Sequence, residues 1–484
     1  MASEKFRRQL RQEVEDWWSE GLIDAALYER LADRYQFRRL EQDASNRFIA
    51  ILLGLGAILL GLGAITFVAA NWQLLSRTAK VVILLACFVG VNAAGFYLWR
   101  RPLQTGWQRL GQGLLLLGAL LLGANMALMS QLFHQSGEGY ELFLIWGLGV
   151  ALMAYSLRLV PLGILALILV IIGYCLGWTA WIGWDRASWQ EFSGTRLLVQ
   201  HLPLLLSLVF VPLAYWCRSR VVMGLSAAAV AISLVFNLRP LSIWNGAPLT
   251  AGWIGVIAFV LPPALLWSYR DHLWQYRPVS AVPASQPPSP LSQPLLQTLA
   301  LWFLAILFYV FAFRGFWTGI ELTRDPLAGW DWSPLIDAVI LGGVAILGWL
   351  RIGNPFRWRQ FQAQHISNGS IAIGLIVAAA FFLLGQQAGV IAVVAFNLLL
   401  FLLALGLIRD GLALGHRATF WGGMVLLVLG IISRMLEYDT GLLLKALVFV
   451  LCGIGIILAG LRFERSLRSR PLPSLPPSSS EEIS

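Results

Sequence analysis

Apolar runs of membrane-spanning length, parted by short polar breaks, fill the chain from residue 48 to residue 461. A helix rises about 1.5 Å per residue, so crossing a hydrocarbon core about 30 Å thick takes roughly 20 apolar residues, usually about 17 to 25. By that measure the runs predict helices near 48–70, 81–99, 110–133, 142–157, 159–180, 197–216, 221–237, 249–269, 295–313, 334–350, 370–384, 389–408, 419–436 and 442–461. These are fourteen candidate spans, or twelve to thirteen if the runs flanking Gly385-Gln386-Gln387-Ala388-Gly389 form one broken or re-entrant segment. Leu142 to Ala180 cannot be a single crossing, because its 39 residues would extend about 58 Å as one helix; Arg158 and Pro161 mark the turn. The expected fold class is all-α, a polytopic integral membrane helix bundle.

Residues 1–47 carry a different pattern. Phe6, Leu10, Val14, Trp17 and Trp18 recur at helical spacing, Gly21 stops that helix, Asp24 can cap a second, and Leu27, Leu31 and Tyr35 continue the apolar face. The segment holds nine basic and ten acidic residues and no apolar core long enough for a signal peptide. A soluble helical hairpin hinged at Gly21-Leu22-Ile23-Asp24 is expected, with its aromatic face either packed on itself or turned to a membrane surface or a protein partner.

The first apolar run, Phe48 to Trp72, is ruled by small residues. Seven helical residues fall only about 20° short of two full turns, so residues seven apart share a face. Gly54 and Gly61 form one stripe beside Ala57, Ala64 and Asn71, while Gly56, Gly63 and Ala70 form another roughly opposite. Small residues let helix backbones approach closely in lipid, where no hydrophobic force draws helices together. The pattern GLGAILLG returns as GQGLLLLG at Gly111, Gly113 and Gly118, which leaves open a duplicated two-span unit.

Composition places the protein in the membrane class: 58% of its 484 residues are hydrophobic and 12% charged, against about a quarter charged in soluble domains. Its mean hydropathy is +0.72. The net charge of +10 is spread through short loops, so nucleic acid is not expected as a partner. With fourteen spans assumed, 26 of the 35 basic residues fall on the side of the termini, which by the positive-inside rule predicts both termini cytoplasmic. Loops alone give 13 against 9. Residues 277–294, RPVSAVPASQPPSPLSQP, read as an extended cytoplasmic linker between a first bundle (48–276, about eight spans) and a second (295–461, about six), and residues 462–484 as a disordered tail.

Three short motifs in order carry a family resemblance: GLID after Trp17-Trp18, GLGAILLGLG ending in AANW, and LLGANMALMSQLF. Together they make residues 1 to about 155 similar to the bacterial predicted-membrane-protein family built on domain of unknown function 2157. By position the resemblance marks Trp17, Gly21, Leu22 and Ile23, then Gly61, Asn71 and Trp72, then Gly123, Asn125 and Gln131. It implies a bacterial inner-membrane location and no known reaction.

Polar side chains inside a membrane are costly and are therefore the first functional candidates. One group is an outward-facing vestibule of Asn71, Trp72, Asn125, Gln131, His134 and Glu138; interhelical hydrogen bonding at about 0.6 kcal/mol per contact is the other reading of the same residues. A second is the charged cluster Arg434, Glu437, Asp439 and Lys445, in which Arg434 and Glu437 stand three apart and can pair along a helix, while Lys445 can snorkel. The third is the hairpin set Trp17, Trp18, Gly21, Leu22 and Ile23, as a protein-interaction surface. Cys87, Cys175, Cys217 and Cys452 are scattered singly, the five histidines lack metal-like spacing, and the glycine patterns sit inside apolar helices, so no metal or cofactor is expected. Near the span centres no clear carboxylate or basic residue stands out as a proton relay. A non-enzymatic scaffold or sensor coupling the hairpin to the bundle is the leading expectation, followed by a passive or weakly coupled transporter or lipid flippase, and then by an intramembrane enzyme on a lipid-linked substrate.

Overall fold

Each apolar run within the residues that the structure describes folds as helix, and the breaks fall where the sequence changes character. The structure is a computed structural model describing residues 4–35, 59, 76–101, 105–133, 137–182, 194–238, 252–270, 292–318, 333–352, 363–384, 389–438 and 441–468. Two compact units emerge, Met1–Ser136 and Gly137–Ser484.

The first unit begins with α1 (Glu4–Ser19) and α2 (Ala25–Tyr35). Gly21, at φ +71, ends α1: its amide bonds to the Trp18 carbonyl at 3.1 Å and the Leu22 amide reaches back to Trp17 at 2.9 Å. That left-handed turn suits glycine, which has no Cβ to clash. Asp24 caps α2, its Oδ1 accepting from the Leu27 amide at 2.8 Å. Val14 is the buried centre where the two helices meet, with Leu10, Ile23, Tyr28 and Leu31 around it. α3 (Arg77–Trp99) and α4 (Thr105–Leu132) then pack backbone to backbone. A Cβ at Gly111 would lie 2.4 Å from the Trp99 nitrogen, and one at Gly118 would lie 2.4 Å from the Asn92 side chain, whereas Gly113 faces open space. Two of the three glycines of the GQGLLLLG pattern thus make the α3–α4 contact, and the third does not.

The second unit runs α5 (Gly139–Leu157), α6 (Val160–Ile182), α7 (Gly194–Gln200), α8 (Leu202–Trp216), α9 (Arg220–Leu238), α10 (Gly252–Ser268), α11 (Gln293–Phe311), the short α12 (Gly315–Thr318), α13 (Ser333–Ile352), α14 (Ala363–Leu384), α15 (Gly389–Leu414), α16 (Arg417–Glu437) and α17 (Leu442–Arg468). Arg158, at φ 55, closes α5 and turns the chain into α6, the break expected there. Phe311 is the hub of the core. Its ring centroid stands 4.8–6.0 Å from those of Phe259, Phe316, Trp317, Phe382 and Phe396, and such aromatic pairs add about 0.5–1.5 kcal/mol each beyond their buried area. The same core cluster extends from Ala214 to Leu400, so it draws on helices before and after residues 277–294.

Ten of these helices are long and apolar enough to cross a membrane: α3, α4, α5, α6, α9, α11, α13, α15, α16 and α17. α7 and α8, bent by 83°, make an eleventh if taken as one broken span, and α10 and α14 are shorter apolar helices. Ten or eleven is therefore the count among the described residues, against the fourteen expected. The expected first span at 48–70, with its glycine stripes, lies outside those residues except for Leu59, as do 277–291 of the linker and 469–484 of the tail. Many large apolar side chains stay on the outside, Leu442 at 86% and Leu443 at 89% exposure being extreme, and a bilayer rather than water suits such a surface.

Candidate functional site

The most developed polar site of the second unit begins with a proline. Pro203 stands one residue inside the start of α8 and has no amide hydrogen, so the Val199 carbonyl loses the donor that a continuous helix would give it. The chain breaks at His201, and helical bonding resumes with the Leu205 amide on the His201 carbonyl at 3.0 Å. A break of this kind at membrane depth is tolerated only where other protein groups take up the freed backbone. Asn237, at the end of α9, does so: its Nδ2 donates to the Gln200 carbonyl at 2.8 Å and to the Val199 carbonyl at 3.4 Å. Its Oδ1 in turn accepts from the Tyr174 hydroxyl of α6 at 2.8 Å. On the other side of the break, the Leu204 amide lies against the carboxylate of Asp337, the fifth residue of α13. Asp337 Oδ1 is 2.6 Å from His201 Nδ1.

Asp337 is 1% exposed while the His201 side chain is 26% exposed. The second carboxylate oxygen, Oδ2, is buried with no hydrogen-bond partner. The layer continues towards α5, where Thr195 Oγ1 donates to Glu141 Oε1 at 2.6 Å. The opposite end of the unit is built differently: Arg158 stacks on the Trp216 ring at 4.2 Å, the Trp216 indole donates to the Tyr155 carbonyl at 3.0 Å, and the Tyr269 and Tyr215 hydroxyls meet at 3.0 Å.

A second cluster pins the end of α11. The Ala312 carbonyl accepts from Arg434 Nη1 of α16 at 2.5 Å and from Asn397 Nδ2 of α15 at 3.1 Å. Arg434 and Glu437 pair along α16, and Glu437 Oε1 accepts from the Arg314 amide at 2.6 Å. The guanidinium also stacks over the Phe313 ring at 4.2 Å. Beside it, Asn397, Leu400, Gly430, Arg434, Met435 and Val448 line an apolar cavity of about 360 Å³.

The sequence-derived candidates fall out unevenly. Asn71, Trp72, His134 and Asp439 lie outside the described residues. Asn125 is buried, its Nδ2 donating to the Leu121 carbonyl one turn back at 2.8 Å and its Oδ1 without a partner. Gln131 is exposed at the end of α4, and Glu138 is exposed at the cap of α5, in the other unit. Lys445 is half-buried in the first turn of α17. In the helix pair, Trp17, Trp18 and Leu22 are exposed at 37%, 52% and 68%, while Ile23 packs on Val14. Sequence reasoning missed His201, Asp337 and Asn237. The signal for them was a histidine two residues before a proline inside an apolar run, and a carboxylate near the start of another.

Residues 15–163 match a family model described as "Predicted membrane protein (DUF2157)". The match runs from within α1 to the start of α6, so it includes Asn125, Gln131, Glu138 and Glu141 and stops before Tyr174, His201, Asn237 and Asp337. No curated protein and no solved structure matches the chain. Among the described residues no three His, Cys, Asp or Glu side chains gather as metal ligands would.

Proposed function

We propose that this is a non-enzymatic membrane scaffold or sensor of the bacterial inner membrane, coupling a cytoplasmic helical hairpin, α1–α2, to a helix bundle of about fourteen crossings. The ten long helices, the bent pair, the two shorter apolar helices and the run 48–70 make up that number, and the excess of basic residues beside the termini supports a cytoplasmic hairpin. One observation carries the reading: α1 and α2 close around Val14 and leave Trp17, Trp18, Leu22 and Leu27 on the outside. Exposed aromatic and aliphatic groups clustered on so small a unit are what a docking surface presents. A photo-crosslinking amino acid at position 18 of the full-length protein, activated in native membranes, tests it. A discrete protein adduct is expected, reduced by Leu22→Asp; adducts with lipid alone would refute the reading.

A second reading, a passive or weakly coupled transporter, is favoured by the break at His201, because transporters commonly build midplane sites from discontinuous helices. Water-soluble maleimide entry to single cysteines placed at positions 200 and 237 discriminates: labelling from both membrane faces supports transport, and labelling from neither excludes it.

A further inference from the structure

We propose that His201 and Asp337 form a proton-binding site at the broken span, whose occupancy sets how firmly the start of α8 is held to α13. The inference goes beyond the scaffold reading and stands whether the bundle signals or transports.

The geometry gives the site a proton to gain and a charge to lose. Asp337 is 1% exposed, its Oδ1 is 2.6 Å from the imidazole Nδ1, and Oδ2 has no partner. With a neutral imidazole donating Nδ1–H, the pair carries one negative charge in a poorly polarisable interior, where an uncompensated charge is costly. What offsets it is weak: the Leu204 amide, at the positive end of α8. Uptake of a proton from water at Nε2 makes an imidazolium–carboxylate pair of zero net charge. No other bond forms or breaks, and the proton returns to water on release. His201, being 26% exposed, is the point of entry, whereas the carboxylate is sealed.

Among the described residues no charged group other than His201 bears on Asp337. The described parts of α8 and α10 carry no acidic or basic side chain; on α9 and α13 the basic residues, Arg220 and Arg351, sit at the far ends from Asn237 and Asp337. The other ionisable groups of the layer, Tyr140, Glu141, Tyr174 and Arg196, belong to α5, α6 and α7, and Glu141 is engaged by Thr195. Protonation puts a positive charge on a donor whose acceptor is already anionic, so a charge-assisted hydrogen bond becomes an ion pair. The consequence falls on the joint, since Asp337 holds both His201 and the amide that the break released.

The test uses the full-length protein in lipid nanodiscs with nitrogen-15 in its histidines, followed by NMR from pH 4 to 9. H201Q identifies the ring signals of His201, which are expected to titrate once and to be lost in that variant. Removing the anion in D337N is expected to weaken proton binding by His201 about tenfold or more, because the imidazolium then loses the carboxylate it is paired with. Should D337N fail to fold, D337E keeps the charge but changes its reach, and a displaced midpoint is again expected. A His201 ring that holds one charge state from pH 4 to 9, or an unmoved midpoint in whichever variant folds, overturns the proposal.

Discussion

Two buried asparagines show two ways of placing an amide inside a membrane protein. Asn125, in the first unit, bonds to the carbonyl of Leu121 on its own helix, four residues away. Asn237, in the second, bonds to two carbonyls 37 and 38 residues away and to a tyrosine hydroxyl 63 residues away. The first can be removed without stranding another group, since the Leu121 carbonyl still belongs to a continuous helix. Removal of the second takes the Asn237 donor from two carbonyls on the α7 side of a broken helix. Polarity alone made Asn125 stand out in the sequence, but it is the reach of the bonds that separates a packing device from a structural joint.

Five substitutions sharpen or break that comparison, with thermal unfolding of the detergent- or nanodisc-embedded protein as the measurement. The largest loss is expected for Glu437→Ala. It strands the Arg434 guanidinium beside the end of α11 and frees the Arg314 amide, and with the two side chains only 14% and 17% exposed the cost lies toward the lower end of the roughly 3–5 kcal/mol seen when a buried pair is broken. A loss below about 1 kcal/mol would mean that solvent or lipid headgroups replace the pair.

Asn237→Leu comes next, at about 2–3 kcal/mol, because each buried group left without a partner costs about 1–3 kcal/mol and these penalties add incompletely. In the first unit the sensitive position is a glycine instead. Gly111→Ala pushes a methyl into the Trp99 backbone and is expected to cost about 1–3 kcal/mol, while Gly113→Ala, facing open space, should be neutral or slightly stabilising. Equal effects at the two glycines would refute the close α3–α4 approach. Apart from the Gly113 control, the smallest change is expected for Asn125→Leu, about 0.6 kcal/mol or less, since the substitution also removes an orphaned amide oxygen. If Asn125→Leu proved as damaging as Asn237→Leu, the distinction between local and long-range bonding would fail.

Much of the fold was legible because its signals are local. Gly21 and Asp24 act within one turn of themselves, Arg158 ends one apolar run beside Pro161, and span length follows from counting. The Arg434–Glu437 pair was legible for the same reason, being three residues apart on one helix. What those two residues hold was hidden: Ala312 and Arg314 lie 122 and 123 residues earlier. The broken span was hidden in another way. In a hydropathy pattern Pro203 passes as one more apolar position between Leu202 and Leu204, and only hydrogen-bond accounting reveals that it removes a donor. His201 and Asp337, 136 residues apart, gave no spacing to read.

The order in which the chain is made gives the break at His201 a history. The Val199 and Gln200 carbonyls can meet Asn237 as soon as α9 has been inserted, fewer than 40 residues later. The carboxylate that engages His201 and faces the Leu204 amide arrives only 136 residues after the histidine, which at about 5–20 residues per second is roughly 7 to 30 seconds. For that interval the joint is half built, with its acceptors satisfied and its donors waiting. The broken span is therefore completed only when α13 enters, and truncation before residue 337 would leave His201 and the Leu204 amide without their carboxylate while Asn237 still holds the α7 side.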